Sequence, residues 1–269
     1  MTDKYAVIGN PIAHSKSPLI HQMFAQQTGQ DISYEAILAP LDGFAATIER
    51  LRNEGYKGCN VTVPFKFEAF KLATELSARA QAAQAVNTLS FDGDIIRGDN
   101  TDGAGLVRDI EHNLGISLQG KRTLLVGAGG AANGVARPLL QSGASQLSIS
   151  NRNIEKAERL VASLAPEFNN VNVYEFPDTA QFDLVINATS TGLSDELPIL
   201  PPGVFAQSAL AYDMMYGKQT AFMYYSPKLG AAVVADGLGM LVEQAAEAFF
   251  IWRGVRPDTA PVLAKLRAP

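Results

Sequence analysis

The sequence predicts an α/β protein of two domains, each built around a mostly parallel sheet. Over residues 1–70, short apolar runs alternate with amphipathic helical stretches, which is typical of a parallel sheet covered by helices on both faces. A glycine-rich turn at 127–132 follows another apolar run and begins a second series of strands and helices. An amphipathic helix over 239–253 lies beyond that series, and we expect it to pack back on the first. We therefore predict one domain from residues 1–102 plus 238–269 and a second from residues 103–237.

The elements of the first domain follow from apolar periodicity and turn residues. Pro18 suits the first turn of a helix, and Phe44, Ile48 and Leu51 form one apolar stripe on the next helix. Asp92-Gly93 separates two strand-like runs and predicts a hairpin turn. The predicted strands are 5–9, 32–38, 58–63, 86–91 and 94–98, and the predicted helices are 18–27, 44–52, one opening near residue 66, 77–85, 104–112, 239–253 and 258–266.

The second domain begins with a buried strand that ends at Val126. After the glycines, Val135, Leu139 and Leu140 fall on one side of a helix that runs to about Ser142. A second strand at 146–150 is followed by a helix that carries basic residues at its start. Further strands are predicted at 171–174, 183–186, 209–212 and 231–235, with a proline-rich loop at 198–203.

Composition narrows the classes of partner. The 269 residues carry a net charge of −5 without a basic cluster, which argues against nucleic acid. Apolar segments are interrupted by polar residues or glycine every few positions, so we expect no membrane span. The single cysteine, Cys59, sits in an apolar stretch and is expected to be a core thiol in a cytoplasmic protein, and the N-terminus shows no signal-peptide pattern. No CxxC or HExxH pattern indicates a metal site, so none is predicted.

The glycine-rich turn has the spacing of a dinucleotide-binding motif. Gly127, Gly129 and Ala132 fit G-x-G-x-x-A between a strand and a helix. The first glycine permits the turn, the second lets a pyrophosphate approach the backbone, and the small third residue lets helix and strand pack closely. The helix N-terminus offers free N–H groups to the anion. The alternative is a tight strand-to-helix turn that binds nothing.

The residues after the next strand favour NADP over NAD. An NAD site usually places a carboxylate there, on the ribose 2′-hydroxyl. This sequence has Arg152 at that position and Lys156 one helical turn later. A guanidinium can pair with a 2′-phosphate through two hydrogen bonds and can stack on adenine. The alternative is a solvated basic helix start, which the helix dipole disfavours.

Polar residues in the first domain indicate a second site. Ser15 and Ser17 would point the same way in an extended loop and could hold a carboxylate, although capping of the following helix is an equally physical use. Thr62 shares a strand face with Asn60, and Lys66 follows at a helix start, where a cation is disfavoured. A solvated lysine remains the alternative interpretation of Lys66.

Three further polar residues are candidates for the same site. Asn87 lies near the start of a strand, and Asp102 lies in a polar loop where it could simply cap a helix. Lys66 and Asp102 would form a proton-transfer pair if they shared a cleft. Gln244 falls on the apolar side of its helix and needs a partner, which could be the backbone or a ligand hydroxyl.

Together these motifs resemble the shikimate dehydrogenase family along nearly the whole chain. The resemblance implies two α/β domains with a cleft between them, an N-terminal substrate domain and a Rossmann-like NADP-binding domain. It also implies reversible reduction of 3-dehydroshikimate to shikimate by NADPH, on the path to aromatic amino acids. The blocks that carry it are Gly9-Asn-Pro with Ser15-Lys-Ser-Pro18, Asn60-Val-Thr-Val-Pro-Phe-Lys66, Ala85-Val-Asn-Thr88, Gly98-Asp-Asn-Thr-Asp-Gly103, Gly127-Ala-Gly-Gly130, Asn151-Arg152, Asn187-Ala-Thr-Ser190, Tyr212-Asp-Met-Met-Tyr216 and Asp236-Gly-Leu-Gly-Met240.

Matched motif by motif, the resemblance assigns roles to individual residues. Lys66 and Asp102 would be the catalytic pair. Ser15 and Ser17 would hold the substrate carboxylate, with Tyr216 nearby, and the ring hydroxyls would be held by Thr62, Lys66, Asn87, Asp102 and Gln244. The cofactor residues would be Gly127, Ala128, Gly129, Gly130, Ala131 and Ala132 for the pyrophosphate, Asn151, Arg152, Asn153 and Lys156 for the 2′-phosphate, and Thr189, Met214 and Gly237 beside the nicotinamide.

The sequence departs from the family pattern at a few positions. Asn153 stands where members often have Thr, Lys156 where several have Arg, and Ala132-Asn133 differs from commoner versions of the turn. Two other functions remain open at this point: a quinate/shikimate dehydrogenase, and a non-enzymatic NADP-binding sensor. A monomer and a homodimer are both compatible with the sequence.

Overall fold

The computed structural model describes residues 2–176, 180–189 and 198–268. The chain divides into two compact units, one of residues 1–105 with 241–269 and one of residues 106–240. The first unit is therefore assembled from both ends of the chain. Assignment of substrate binding to one unit and nucleotide binding to the other remains a prediction.

The first unit contains a six-stranded mixed sheet in the order β2-β1-β3-β5-β6-β4. Strands β1, β2 and β3 are parallel, as the alternation of strands and helices predicts, while β3, β5 and β6 form an antiparallel meander. The short β4 is parallel to β6. The strand bounds are β1 Asp3–Gly9, β2 Ile32–Leu38, β3 Tyr56–Val61, β4 Glu75–Leu76, β5 Thr88–Asp92 and β6 Ile95–Asp99.

Helices cover this sheet and fill its core with aromatic side chains. Phe44 stacks on Phe65 with ring centroids 5.0 Å apart. Trp252, near the end of the helix Leu238–Arg253, donates a hydrogen bond from its indole N–H to the Leu89 carbonyl and so fastens that helix to β5. Cys59 is fully buried in β3. The helix bounds are α1 Ser17–Thr28, α2 Phe44–Asn53, α3 Lys66–Leu72, α4 Ala78–Ala83, α5 Asp102–Arg108, α9 Leu238–Arg253 and α10 Ala260–Arg267.

The second unit contains a six-stranded parallel sheet in the order β12-β11-β10-β7-β8-β9. Strands are added on one side of β7 and then on the other, so the order reverses between β7 and β10. Ligands of open parallel sheets bind at such a switch point, beyond the carboxyl ends of the strands. The bounds are β7 Arg122–Val126, α6 Gly130–Gln141, β8 Gln146–Ser150, α7 Ile154–Leu164, β9 Val171–Val173, β10 Phe182–Asn187, β11 Phe205–Asp213, α8 Ala221–Tyr225 and β12 Val233–Ala235.

Several predicted boundaries differ from the observed ones. Strand β3 ends at Val61 rather than at 63, because the chain turns there: the Phe65 N–H donates to the Thr62 carbonyl. Helix α5 begins two residues earlier than predicted and passes into a π-helical turn, Asp109–Asn113. Strand β12 begins at Val233 rather than at 231.

The described part of the chain contains no helix that is both long enough and apolar enough to cross a membrane.

Candidate functional site

The centre of the first unit's site is an ion pair between Lys66 and Asp102. Lys66 is the first residue of α3 and Asp102 the first residue of α5. The Lys66 Nζ lies 2.5 Å from the Asp102 Oδ2, and the two side chains are 20% and 8% exposed. Because a cation at a helix N-terminus opposes the helix dipole, the facing carboxylate offsets the unfavourable position of Lys66. Lys66 is thus a paired side chain in a partly closed site, not a solvated surface lysine.

Asn87 holds the second oxygen of Asp102. The Asn87 Nδ2 donates to the Asp102 Oδ1 at 2.8 Å. The orientation of the amide is fixed, because its Oδ1 accepts the backbone N–H of Thr101 at 2.9 Å and that group can only donate. Two neighbouring residues also bond to Asn87: the Thr88 hydroxyl donates to the Asn87 Oδ1, and the Asn60 Nδ2 donates to the Asn87 carbonyl. Both oxygens of Asp102 are therefore occupied by side chains, so the simple capping role is not the one observed.

Gln244 on α9 joins this cluster. Its Nε2 donates to the Leu241 carbonyl at 2.8 Å, which is the backbone partner considered from the sequence. Its Oε1 accepts from the Asn87 Nδ2 at 3.3 Å and lies 3.4 Å from the Thr101 hydroxyl. The C-terminal segment thereby adds a polar group to a site built mainly from residues 60–102.

The loop before Asp102 is held by an ionic network that the sequence did not suggest. Arg79 pairs with both carboxylate oxygens of Asp99 and also with Glu247 on α9. Asp99 in turn accepts the backbone N–H of Asn100. The Asn100 Oδ1 accepts the N–H of Asp102 and so caps α5 in its place. The only sequence signal for this arrangement is the density of polar residues over 99–102.

Ser15 and Ser17 do not lie in an extended loop. Lys16 between them has helical dihedral angles, and Ser17 already begins α1. The Ser15 Oγ accepts the Ser17 N–H at 3.3 Å, but the N-cap of α1 is Lys16, whose side chain makes no capping hydrogen bond. Thr62 is half-buried just beyond β3, and its methyl group lies against Gly9: a Cβ at Gly9 would come within 2.5 Å of it.

The glycine-rich turn of the second unit has the shape that a pyrophosphate requires. Gly127 has φ +116°, and a Cβ there would lie 3.1 Å from the backbone of Ala188. Gly129 has φ −91°, and no described atom lies within 4 Å of the position that its Cβ would take. Ala132 is fully buried against the sheet. Gly130 and Ala131 are the first two residues of α6, so their N–H groups have no partner within the helix. These residues fit a dinucleotide.

The polar residues after β8 form a structured turn. The Asn151 Nδ2 donates to the Asn153 carbonyl at 2.8 Å, and the Asn153 Oδ1 accepts the Lys156 N–H at 3.2 Å. Asn153 is therefore the N-cap of α7, a role that Thr could also fill but to which Asn is well suited. Arg152 and Lys156 are exposed, where an incoming phosphate could reach them.

The carboxyl ends of β10, β11 and β12 bring three predicted cofactor residues together. The Thr189 hydroxyl donates to the Asn187 Oδ1 at 2.7 Å, and the Met214 N–H donates to the Asn187 carbonyl at 3.0 Å. The Gly237 N–H donates to the Met215 carbonyl at 2.9 Å. The half-buried Tyr216 follows two residues after Met214, and burial raises the pKa of its phenol. Ser190, at the end of the Asn187 motif, lies outside the described residues.

Comparison with known proteins gives a family for the whole chain. Sequence profiles described as "Shikimate dehydrogenase substrate binding domain", "Shikimate / quinate 5-dehydrogenase" and "Shikimate 5'-dehydrogenase C-terminal domain" match residues 7–89, 109–200 and 237–267. A curated protein of Methylobacillus flagellatus, named Shikimate dehydrogenase (NADP(+)), is 60% identical over 268 residues, covering 99% of both chains. The chain belongs to the shikimate dehydrogenase family.

Solved structures agree with this assignment. The crystal structure of an Ael1 enzyme from Pseudomonas putida superimposes with a TM-score of 0.94 at 50% identity, covering 100% of this chain and 99% of that one. Shikimate 5-dehydrogenase of Thermus thermophilus, crystallised with NADP(H) and shikimate, gives a TM-score of 0.88 at 31% identity and covers 99% of both chains. The predicted fold class, two α/β domains of which one is Rossmann-like, is confirmed.

Within the family framework, the predicted residues fall into separate groups. Lys66, Asp102, Asn87 and Gln244 form one hydrogen-bonded cluster in the first unit. Ser15, Ser17 and Thr62 lie in the same unit, while Tyr216 and the cofactor residues belong to the second. Sequence reasoning missed Thr101, Thr88 and Asn100, which orient the cluster without carrying a charge of their own.

Proposed function

We propose that the chain catalyses the reversible NADPH-dependent reduction of 3-dehydroshikimate to shikimate, a step towards aromatic amino acids. The single observation that carries the chemistry is the Lys66–Asp102 pair, set at two helix starts and held by Asn87. The family membership and the name of the Methylobacillus flagellatus relative support the substrate and the cofactor. NADP is the cofactor of this activity.

Lys66 is the proton donor in the reductive direction. When bound, NADPH supplies the hydride to the C3 carbonyl carbon of the substrate. The carbonyl oxygen must then gain a proton, and the Lys66 ammonium is the acidic group that delivers it. In the reverse direction the neutral amine removes the same proton. Asp102 fixes the direction of the Lys66 Nζ, and Asn87 keeps Asp102 from rotating away.

The remaining polar residues hold the substrate. Ser15, Ser17 and Tyr216 bind its carboxylate through neutral hydroxyl groups. Thr62, Asn87 and Gln244 bind ring hydroxyls together with the catalytic pair. The Gln244 Oε1 and the Asn87 amide already face each other, so a hydroxyl bound there meets both a donor and an acceptor.

The cofactor residues follow the second sheet. The N–H groups of Gly127 to Ala132 bind the pyrophosphate, with Gly129 giving the close approach. Asn151, Arg152, Asn153 and Lys156 bind the 2′-phosphate, and Thr189, Met214 and Gly237 border the nicotinamide. A cytoplasmic location and a monomeric or homodimeric state complete the proposal; the single buried thiol supports a reducing compartment.

The decisive experiment is an initial-rate measurement that crosses shikimate and quinate with NADP and NAD. NADPH or NADH formation is followed by absorbance at neutral to alkaline pH. Fast turnover confined to shikimate with NADP supports the proposal in full. Comparable rates with quinate or NAD would place the chain among the broader quinate/shikimate dehydrogenases. Nucleotide binding without turnover in any pairing would contradict an enzymatic role and favour an NADP-binding sensor.

A further inference from the structure

A buried carboxylate in the second unit has no role in the chemistry described so far. Asp213 ends β11 and is fully buried, and burial raises the pKa of its carboxyl group. Its Oδ2 accepts hydrogen bonds from the Asn187 Nδ2, at 3.2 Å, and from the Thr220 hydroxyl. Its Oδ1 accepts the Met215 N–H at 3.0 Å. Burying a carboxyl group is costly unless it accepts hydrogen bonds, and these three donors offset that cost.

The Asn187 side chain connects Asp213 to Thr189 through hydrogen bonds. The Asn187 Oδ1 accepts both the backbone N–H of Thr189, at 3.2 Å, and its hydroxyl, at 2.7 Å. Because the backbone N–H can only donate, the amide oxygen must face Thr189 and the amide nitrogen must face Asp213. Asp213 therefore fixes the rotation of the Asn187 side chain and, through it, the conformation of Thr189.

The same carboxylate holds the backbone directly after Met214. The Met214 N–H donates to the Asn187 carbonyl at 3.0 Å, and the next N–H in the chain, that of Met215, donates to Asp213. Gly237 closes the arrangement, since a Cβ there would come within 2.3 Å of the Met214 carbonyl oxygen. Asp213 thus holds the Asn187 side chain that accepts from Thr189, and it holds the backbone directly after Met214, against which Gly237 packs.

We propose that Asp213 is a positioning residue that shapes the wall against which the nicotinamide half of NADP binds. The inference rests on the proposed function, which places Thr189, Met214 and Gly237 beside the nicotinamide. Asp213 does not need to touch the cofactor. Its two oxygens accept three donors at once, which an amide cannot do, because an amide nitrogen would turn an N–H toward one of those donors.

The test separates the two halves of the cofactor. Calorimetric titration of the full chain with NADP+ and with adenosine 2′,5′-bisphosphate, which lacks the nicotinamide, gives one dissociation constant for each ligand. In Asp213→Asn, the dissociation constant for NADP+ should rise roughly ten- to hundred-fold, as expected for the loss of a hydrogen bond to a charged group. The constant for adenosine 2′,5′-bisphosphate should stay within about twofold, and kcat should fall while KM for shikimate is kept.

Two variants serve as controls. Asp109→Asn alters another fully buried carboxylate of the same unit, which accepts from the Tyr212 hydroxyl and the Asn113 amide, and it should leave both dissociation constants near wild type. Arg152→Ala is the reciprocal case and should weaken both ligands, because both carry the 2′-phosphate. Thermal unfolding of each variant shows whether the fold is kept.

Thr220 gives a second, milder test if Asp213→Asn does not fold. Thr220→Val removes one donor to Asp213 and should weaken NADP+ selectively, whereas Thr220→Ser keeps the hydroxyl and should restore wild-type binding. Unchanged NADP+ affinity in Asp213→Asn, or an equal loss for both ligands, would overturn the inference. Wild-type protein that binds NADP+ but reduces no 3-dehydroshikimate would instead overturn the proposed function.

Discussion

Lys66 and His21 show how differently two ionisable side chains are used in the same unit. Lys66 is partly exposed and paired with Asp102. His21 is fully buried, stacks on Tyr34 with ring centroids 4.1 Å apart, and is surrounded by further aromatic rings. Under the proposed function the first side chain serves proton transfer, whereas the second is a core residue.

Replacement of Lys66 by Ala should lower kcat by about 10² to 10⁴-fold while KM for shikimate changes little, because general acid–base help is lost and most binding contacts remain. Steady-state kinetics in both directions measure this effect. Lys71→Ala, which removes an exposed lysine from the same helix, is the matched control and should behave as wild type. A large rise in KM with a near-normal kcat would make Lys66 a binding residue instead.

His21 should make the protein sensitive to acid. Burial lowers the pKa of His21 to about 3, while Asn60 nearby opposes the shift, and neither ring nitrogen makes a hydrogen bond of standard geometry with a described residue. Because the pKa in the folded chain lies below the unfolded value of about 6.5, the neutral ring favours folding above that pH. Stability should fall as the pH drops from about 6.5 towards 3, by at most about 1.4 kcal/mol per pH unit from this group.

Denaturant unfolding of wild type and His21→Phe between neutral and acidic pH checks this assignment. The variant should lose part of the acid sensitivity, since an apolar ring replaces the group that must be protonated. His14→Gln alters an exposed histidine and is the matched control. Parallel pH profiles for wild type and His21→Phe would show that other groups cause the acid loss.

In the strand-to-helix turn after β7, two glycines have different physical reasons to be glycine. Gly127→Ala should destabilise the chain by about 1–3 kcal/mol, because φ +116° is unfavourable for alanine and the Cβ would press on Ala188. Gly129→Ala should leave stability within about 0.5 kcal/mol, because φ is −91° and the space is open. The same Gly129 substitution should weaken NADP+ roughly tenfold or more by occupying the approach path.

Thermal unfolding measures the stability of the two glycine variants, and NADP+ titration measures their affinity for the cofactor. Each variant is the control for the other, since the same methyl group is added two residues apart. Equal destabilisation of both, with no separate effect of Gly129→Ala on binding, would mean that the turn is a structural feature only.

Sequence patterns predicted these elements well where local chemistry decides them. The strand, turn and helix around 122–141 follow from glycine spacing and apolar periodicity, and the hairpin of β5 and β6 follows from one Asp-Gly pair, with the turn displaced by one residue to Gly93-Asp94. Elements set by tertiary contacts were missed. β4 is only two residues long and exists because β6 offers an edge, and the five-residue α8 depends on the Thr220 cap.

The candidate site shows the same division. The helix-start position of Lys66 and the polar loop around Asp102 were visible in the sequence, but their 2.5 Å contact was not, because 36 residues separate them. The orientation of Asn87 depends on the backbone N–H of Thr101, which no side-chain pattern encodes. Ser15 and Ser17 were expected in an extended loop, whereas Lys16 already has helical geometry, since α1 begins one residue before Pro18.

For the whole chain, the first unit depends on both ends of the sequence. Trp252 on α9 bonds to Leu89 and lies so close to Gly58 that a Cβ there would come within 2.8 Å of its indole nitrogen. Arg253 pairs with Asp3 at the start of β1. A chain of residues 1–105 should therefore lack a cooperative unfolding transition, and adding a peptide of residues 241–269 should restore it.

Residues 106–240 form one continuous compact unit and should unfold cooperatively without the rest, which makes this fragment the matched control. Circular dichroism during urea unfolding of the three samples measures the difference. A transition for residues 1–105 alone that equals that of the mixture would show that the C-terminal helices add little to the first unit.

The reactivity of the Cys59 thiol reports how often the first unit opens to solvent. The thiol lies at the centre of β3 with no exposed surface, and burial raises its pKa, so almost none of it is thiolate at neutral pH. A thiol reagent can modify the native chain only when β3 opens to solvent. The rate of labelling therefore measures how often the first unit opens, and no mutation is needed. Ligands bound by that unit should lower this rate.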